Sequence, residues 1–152
     1  MTQEDKELLL KDICGRLPYG VIVAATNLAA PFGVVSGVST KNKVTVETKH
    51  ADIVFECTEV KPYLRPMSNM TEEEWEELNC IGYIVPLYDG CFGVDMRVYC
   101  KNSQPHYRRF SEFSTIEDWL NAHHFDYRGL IEKGLALEAP DGIYNIKEHN
   151  KI

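Results

Sequence analysis

KVTVETKHADIVFECTEV, residues 43–60, contains two runs that suit strands better than helices. In the first, Val44 and Val46 point one way while Thr45 and Glu47 point the other. That period of two places one face in a core and the other in water. The second run, DIVFECTEV, is rich in β-branched and aromatic residues, and Asp52 marks the turn between the two. Upstream lie two more such runs, VIVAATN (21–27) and FGVVSGVST (32–40), set off by Asn27, Pro31 and Lys41-Asn42. Four short strands within about forty residues predict an antiparallel meander that curls into a small, barrel-like sheet. Gly33 and Gly37 permit the bending that such a sheet needs.

On the N-terminal side stands an amphipathic segment, MTQEDKELLLKDIC. Thr2 and Asp5 have the spacing of a capping box, and Leu9 and Ile13 share a face flanked by Leu8 and Leu10. A helix over residues 3–14 follows, with Gly15 expected at the left-handed position after its end. On the other side, each proline of KPYLRP (61–66) drives its predecessor into extended geometry. The tract therefore reads as a strap leaving the sheet, with Tyr63 and Leu64 turned inward.

Thr71 and Glu74 repeat the capping spacing and open a second helix, which Trp75 and Leu78 would anchor. GYIVPLY and GVDMRVYC flank Asp89-Gly90, a hairpin signal, and Pro86 places the first arm at an edge or a bulge. Met96, Val98 and Cys100 extend the face that Val94 begins. KNSQPHYRRF (101–110) reads as a loop. Ser114 and Glu117 cap a helix over 115–124 whose buried stripe is Ile116, Trp119, Leu120 and His123. Asp126 then caps a short final helix, YRGLIEKG, ended by Gly134. The remainder offers one apolar strand, a P-D-G turn and a polar tail. The expected class is α+β: an antiparallel barrel-like sheet with an N-terminal helix, an added hairpin and short C-terminal helices. Its expected organisation is a single domain over 1–152. Residues 1–66 form the helix plus β-meander, 67–113 an acidic helix and hairpin insertion, and 114–152 a C-terminal helical segment and tail.

With 152 residues, 44% of them hydrophobic, the chain suits one core. No apolar run approaches the roughly 20 residues that a bilayer requires, and the acidic N-terminus is unlike a signal peptide. A cytoplasmic, non-membrane protein is expected. Its five cysteines (Cys14, Cys57, Cys80, Cys91, Cys100) are odd in number and contain no CxxC pair, so reduced, packed thiols are expected rather than a zinc site. Residues 1–70 hold 8 basic and 8 acidic residues, whereas 71–152 hold 8 and 15. Non-specific nucleic-acid binding needs a basic face, and this balance argues against it. A local patch on the barrel at Lys41, Lys43, Lys61 and Arg65 is the form that such binding would take.

The densest chemistry lies in LNAHHFDYRGLIEKG, residues 120–134. Imidazole titrates near neutrality and a carboxylate can orient it, so His123, His124, Asp126 and Arg128 form the candidate catalytic set. Adjacent helical residues point about 100° apart, however, and Asp126 sits where a cap is expected. The stronger reading is structural, with no catalytic residue. Arg108 and Arg109, among His106, Tyr107 and Phe110, are candidate ligand-binding residues for a phosphate or nucleotide. Signatures for zincins, phosphate-binding loops, dinucleotide folds and G-x-S-x-G are absent. The glycines of GVVSGV read as sheet bending. Five glutamates around one tryptophan in TEEEWEE make Glu72, Glu73, Trp75 and Glu76 the candidate surface for a protein partner. No cofactor, metal or oligomeric state is read from the sequence.

LKDICGRLPYGV, VKPYLRPMSNMTEEE and DWLNAHHFDYRGLIEKGLALEAPDGIYN together resemble a group of small uncharacterised proteins from phages and integrated mobile elements of gut bacteria. The likeness covers about half of the chain and leaves 79–113 unmatched. It implies a setting, a small accessory protein inside a bacterial cell that acts on a bacterial or phage protein, and it brings no functional residue. The expectation is a non-catalytic binding or adaptor protein. The alternative is a small-molecule or nucleotide-binding protein, or a hydrolase, using His123 to Arg128.

Overall fold

The computed structural model describes residues 1–25, 33–81, 83–86, 92–95 and 116–144. The chain forms two compact units, one of residues 1–67 with 124–152 and the other of residues 68–123. The first contains α1 (Gln3–Arg16), β1 (Ile22–Ala25), β2 (Gly33–Val38), β3 (Lys43–Glu47), β4 (Asp52–Glu56), β5 (Val60–Leu64) and β8 (Leu137–Glu138). The second contains α2 (Glu72–Ile81), β6 (Tyr83–Pro86), β7 (Phe92–Asp95) and α3 (Ile116–Ala122).

At the start of α1 the capping box is complete: Asp5 N donates to Thr2 Oγ1 and Thr2 N to the Asp5 carboxylate, both at 3.1 Å. The helix outruns its expected end. Gly15 stays helical, a 3-10 turn at Leu17–Tyr19 follows, and Gly20, at φ 70°, is the left-handed residue instead. Pro18 explains the difference, since its preset φ and missing amide suit the first turn of a helical segment.

Six strands pair in the order β4-β3-β2-β1-β5-β8, antiparallel throughout except for the parallel pair β5–β8. The four-strand meander and the α+β class are as expected. Among the described residues, no pairing joins the two edge strands β4 and β8. KPYLRP requires a correction. Its first four residues lie in β5, an interior strand, rather than in a strap outside the sheet. Pro62 is accommodated because the β1 ladder ends at it and β8 pairs only with Tyr63 and Leu64. Leu64 is fully buried, whereas Tyr63 is half-buried.

The register of β2 against β3 shifts between Val35 and Gly37, the bulge that one of the glycines was expected to permit. Gly33 serves close approach: a Cβ there would collide with Val46 Cγ1 and touch Glu47 O. The core forms where Leu9 and Ile13 of α1 meet Val23, Val35, Val44, Val46, Val60 and Leu64, and Leu130 and Leu135 join it. Each such side chain contributes roughly 1.5–3 kcal/mol through burial.

YRGLIEKG forms turns rather than the expected helix. Gly129, its third residue, stands at φ 71°, and a left-handed glycine there interrupts the helical backbone; Gly134, at φ 69°, closes the segment. In the other unit Thr71 and Glu74 form the second capping box, at 3.0 and 3.2 Å. Leu78 is fully buried and Trp75 half-buried, and α2 packs on α3. β6 and β7 form the expected hairpin, with Pro86 at the end of its arm opposite Phe92. Its Asp89-Gly90 turn, the face from Met96 to Cys100, the loop 101–110 and Ser114 lie outside the described residues. α3 is shorter than expected: Ile116, Trp119 and Leu120 are buried as its stripe requires, but His123, the fourth residue of that stripe, lies beyond the helix and is half-buried.

Candidate functional site

The buried face of α1 carries two charges. Leu9, Asp12, Ile13 and Arg16 are the buried residues of this helix, spaced i, i+3, i+4 and i+7. Arg16 Nε donates to Asp12 Oδ2 at 2.7 Å and Arg16 Nη2 to Asp12 Oδ1 at 2.9 Å, with both side chains fully buried. Arg16 Nη2 also donates to the Phe125 carbonyl at 2.8 Å. Arg128 brings its Nε to 3.3 Å from Asp12 Oδ1, and its Nη2 donates to the Tyr127 hydroxyl at 2.6 Å. The Tyr127 ring lies under both guanidiniums, 5.7 Å from Arg16 and 4.7 Å from Arg128. This cluster fastens the C-terminal segment to α1. Both carboxylate oxygens of Asp12 are thus engaged by guanidiniums of the protein itself.

Of the four candidate catalytic residues, only Arg128 joins this cluster. Asp126 uses both oxygens on backbone, accepting from Leu130 N at 2.8 Å and Ile131 N at 2.9 Å. It thus caps the turn that occupies the place of the expected helix. His123 stacks on Trp119, with centroids 3.9 Å apart, and its Nδ1 lies 2.9 Å from the Trp119 carbonyl oxygen. His124 is buried at φ 60°, two residues beyond the end of α3, in the left-handed position that commonly terminates a helix. Its ring stacks on Tyr144 at 3.6 Å and 13°. The two imidazoles therefore address different aromatic rings.

Tyr144 ties the chain's C-terminal segment to the sheet. Its hydroxyl accepts from Ile22 N at 3.1 Å and donates to Tyr63 O at 2.6 Å. Burial pushes this phenol far above its ordinary range, which keeps it a donor at any physiological pH. Loss of hydration also raises the thiols of exposed Cys14 and buried Cys57, the opposite of what activates a nucleophile.

On α2, Glu72, Glu73 and Glu76 are exposed beside half-buried Trp75, and Glu77 joins them. Arg108 and Arg109, with His106, lie outside the described residues. Of the basic residues expected to meet nucleic acid, Lys43 pairs with Glu56 at 3.0 Å and Arg65 lies 4.2 Å over the Phe125 ring. Lys41 is exposed and Lys61 half-buried. Among the described residues no three His, Cys, Asp or Glu gather to hold a metal, and no helix is long and apolar enough to cross a membrane. A cavity of about 10 Å³ beside Val46 and Phe55 has room for little more than one water.

Sequence reasoning missed Asp12, Arg16, Tyr127 and Tyr144. For the first two a signal existed: a carboxylate and a guanidinium four apart fall on the same stripe as Leu9 and Ile13. No family model, no curated protein and no solved structure matches the chain.

Proposed function

We propose that the protein is a non-catalytic binding or adaptor protein. It works in a bacterial cytoplasm in the setting of a phage or mobile element and contacts a basic protein partner through α2. The observation that carries this is the exposure of Glu72, Glu73, Glu76 and Glu77 while Thr71 and Glu74 take the capping work. At about 100° per residue those four carboxylates span an arc of about 140°, with Trp75 at one margin and Leu78 on the far side. Such an arc beside an aromatic residue suits electrostatic docking with an anchor at its edge. The β2 bulge supports the finer reading of a sheet curled toward a half-barrel.

The alternative, a ligand or hydrolytic site on His123, His124, Asp126 and Arg128, is weakened by the use of both Asp126 oxygens on the protein's own amides. Affinity purification of the tagged full chain from bacterial lysate tests the choice. The expected result is a stoichiometric protein partner that is lost on combining Glu72→Lys with Glu76→Lys while the Tm holds. Retention by the double variant would remove this surface. A partnerless preparation stabilised by a nucleotide in a thermal-shift screen would favour the alternative.

A further inference from the structure

β4 is an edge strand, and its hydrogen-bonding groups can be assigned to one side or the other. Cys57 N donates to Asn42 O at 3.0 Å and Thr48 N to Ala51 O at 3.1 Å, so bonded pairs bracket the β3–β4 ladder at both ends. Alternation along an antiparallel pair then assigns the bonds to β3 to Ile53 and Phe55. Asp52, Val54 and Glu56 direct their backbone groups away from the sheet. The Glu56 amide agrees, since it donates instead to Glu59 Oε2 at 2.9 Å. The amides of Asp52 and Val54 and the carbonyls of all three therefore face outward, and no strand pairs with them among the described residues.

The side chains of this edge are unusual for one with no strand beside it among the described residues. Edge strands are commonly blunted by lysine, proline or an inward charge. The centre of β4 is Ile53-Val54-Phe55, with Val54 58% exposed and Ile53 36% exposed. Carboxylates stand at both ends, Asp52 beside Glu47 of β3 and Glu56 near Glu59, and Lys43 meets Glu56 at 3.0 Å. A second copy pairing antiparallel about Val54 would set Asp52 against Glu56 twice, and like charges directly opposite repel.

We propose that the outer edge of β4 receives, as an added strand, an extended segment of another protein that is apolar at its centre and basic at both flanks. Main-chain bonds to Asp52, Val54 and Glu56 hold the segment. Basic residues opposite Asp52 and Glu56 select it, and apolar residues between them cover Ile53, Val54 and Phe55. This surface lies in the other unit from the acidic helix, and its test is independent of that helix.

The probe is a capped peptide, lysine–valine–isoleucine–valine–lysine between glycine–serine ends, titrated into the full chain with amide exchange followed by NMR. The expected result is slowing of the Asp52 and Val54 amides by at least about tenfold, with Ile53 and Phe55, already bonded to β3, unchanged. A peptide with glutamate in place of both lysines binds about tenfold more weakly. Val54→Pro removes an amide that faces outward, so it abolishes binding in a folded chain; should it not fold, Val54→Lys weakens the basic peptide alone. Equal binding of both peptides, or protection elsewhere, would overturn the proposal. So would slow Asp52 and Val54 amides without peptide, by self-association if the rates depend on concentration and by the chain's own cover if they do not.

Discussion

Arg16 grips Asp12 with two parallel hydrogen bonds, 2.7 and 2.9 Å long, at positions where neither side chain reaches solvent. A helix–sheet interface ordinarily holds aliphatic residues there. The pair gives α1 a fixed rotation and a fixed neighbour, because the same guanidinium reaches the Phe125 carbonyl.

Removing one partner leaves the other charge buried. Arg16→Met and Asp12→Leu are each expected to cost about 3–5 kcal/mol, as for other broken buried pairs. The double variant should recover part of that loss, since apolar groups replace both fully buried charges, and the recovery is partial because Arg128 then loses Asp12. Urea unfolding of the four proteins gives the coupling energy, and simple additivity would show that the pair is not coupled.

Tyr144 makes stability fall in alkali. A phenol whose folded-state value is raised above its usual 10.0 contributes stability that is full below that pH and is lost as pH rises through it. Above pH 10 the unfolded chain releases the proton and the folded chain retains it, at up to about 1.4 kcal/mol per pH unit. Tyr144→Phe should be less stable at neutrality, having lost the bonds to Ile22 and Tyr63, but should show a shallower decline between pH 10 and 11. Parallel slopes for the two proteins would contradict this role.

His124 combines a strained backbone with a buried ring. Alanine and glycine each delete the stack on Tyr144, but only glycine adopts φ 60° without penalty. His124→Gly is therefore expected to be more stable than His124→Ala by about 1 kcal/mol. Reversal of that order in thermal unfolding would mean that the backbone at 124 is not held in the left-handed region.

The meander was legible because period two and turn residues act locally: Val44 and Val46 need only their own strand to declare a buried face. Capping boxes were legible for the same reason, each being a four-residue contact. What escaped was set by distant partners. KPYLRP shows extended geometry in its prolines but not the pairing to β1 and β8, which depends on residues far along the chain. YRGLIEKG carries helical spacing, and the left-handed Gly129 within it overrides that spacing. Asp12 and Arg16 look like a surface pair four apart until their stripe is traced through Leu9 and Ile13. Tyr144 gave no signal, because its partners are the backbone of Ile22 and Tyr63.

The first unit is interrupted in sequence and should stand without the second. Its chain leaves at Met67 and returns at His124, and the two crossings are joined just inside that point. Arg65 N donates to His124 O and Asp126 N to Arg65 O, both at 2.8 Å, and Arg65 and Phe125 form a parallel bridge. Bridged residues sit about 5 Å apart, so a short loop can span them. Among the described residues, the core of α1 with β1, β2, β3 and β5 is built from residues of this unit, from Leu9 to Leu64 and from Leu130 to Ala136. Replacing residues 68–123 with a short glycine–serine linker is therefore expected to leave a protein that unfolds cooperatively and keeps exchange protection in β1 to β3. A non-cooperative melt with unprotected β1 to β3 amides would show that the first unit depends on the segment it encloses.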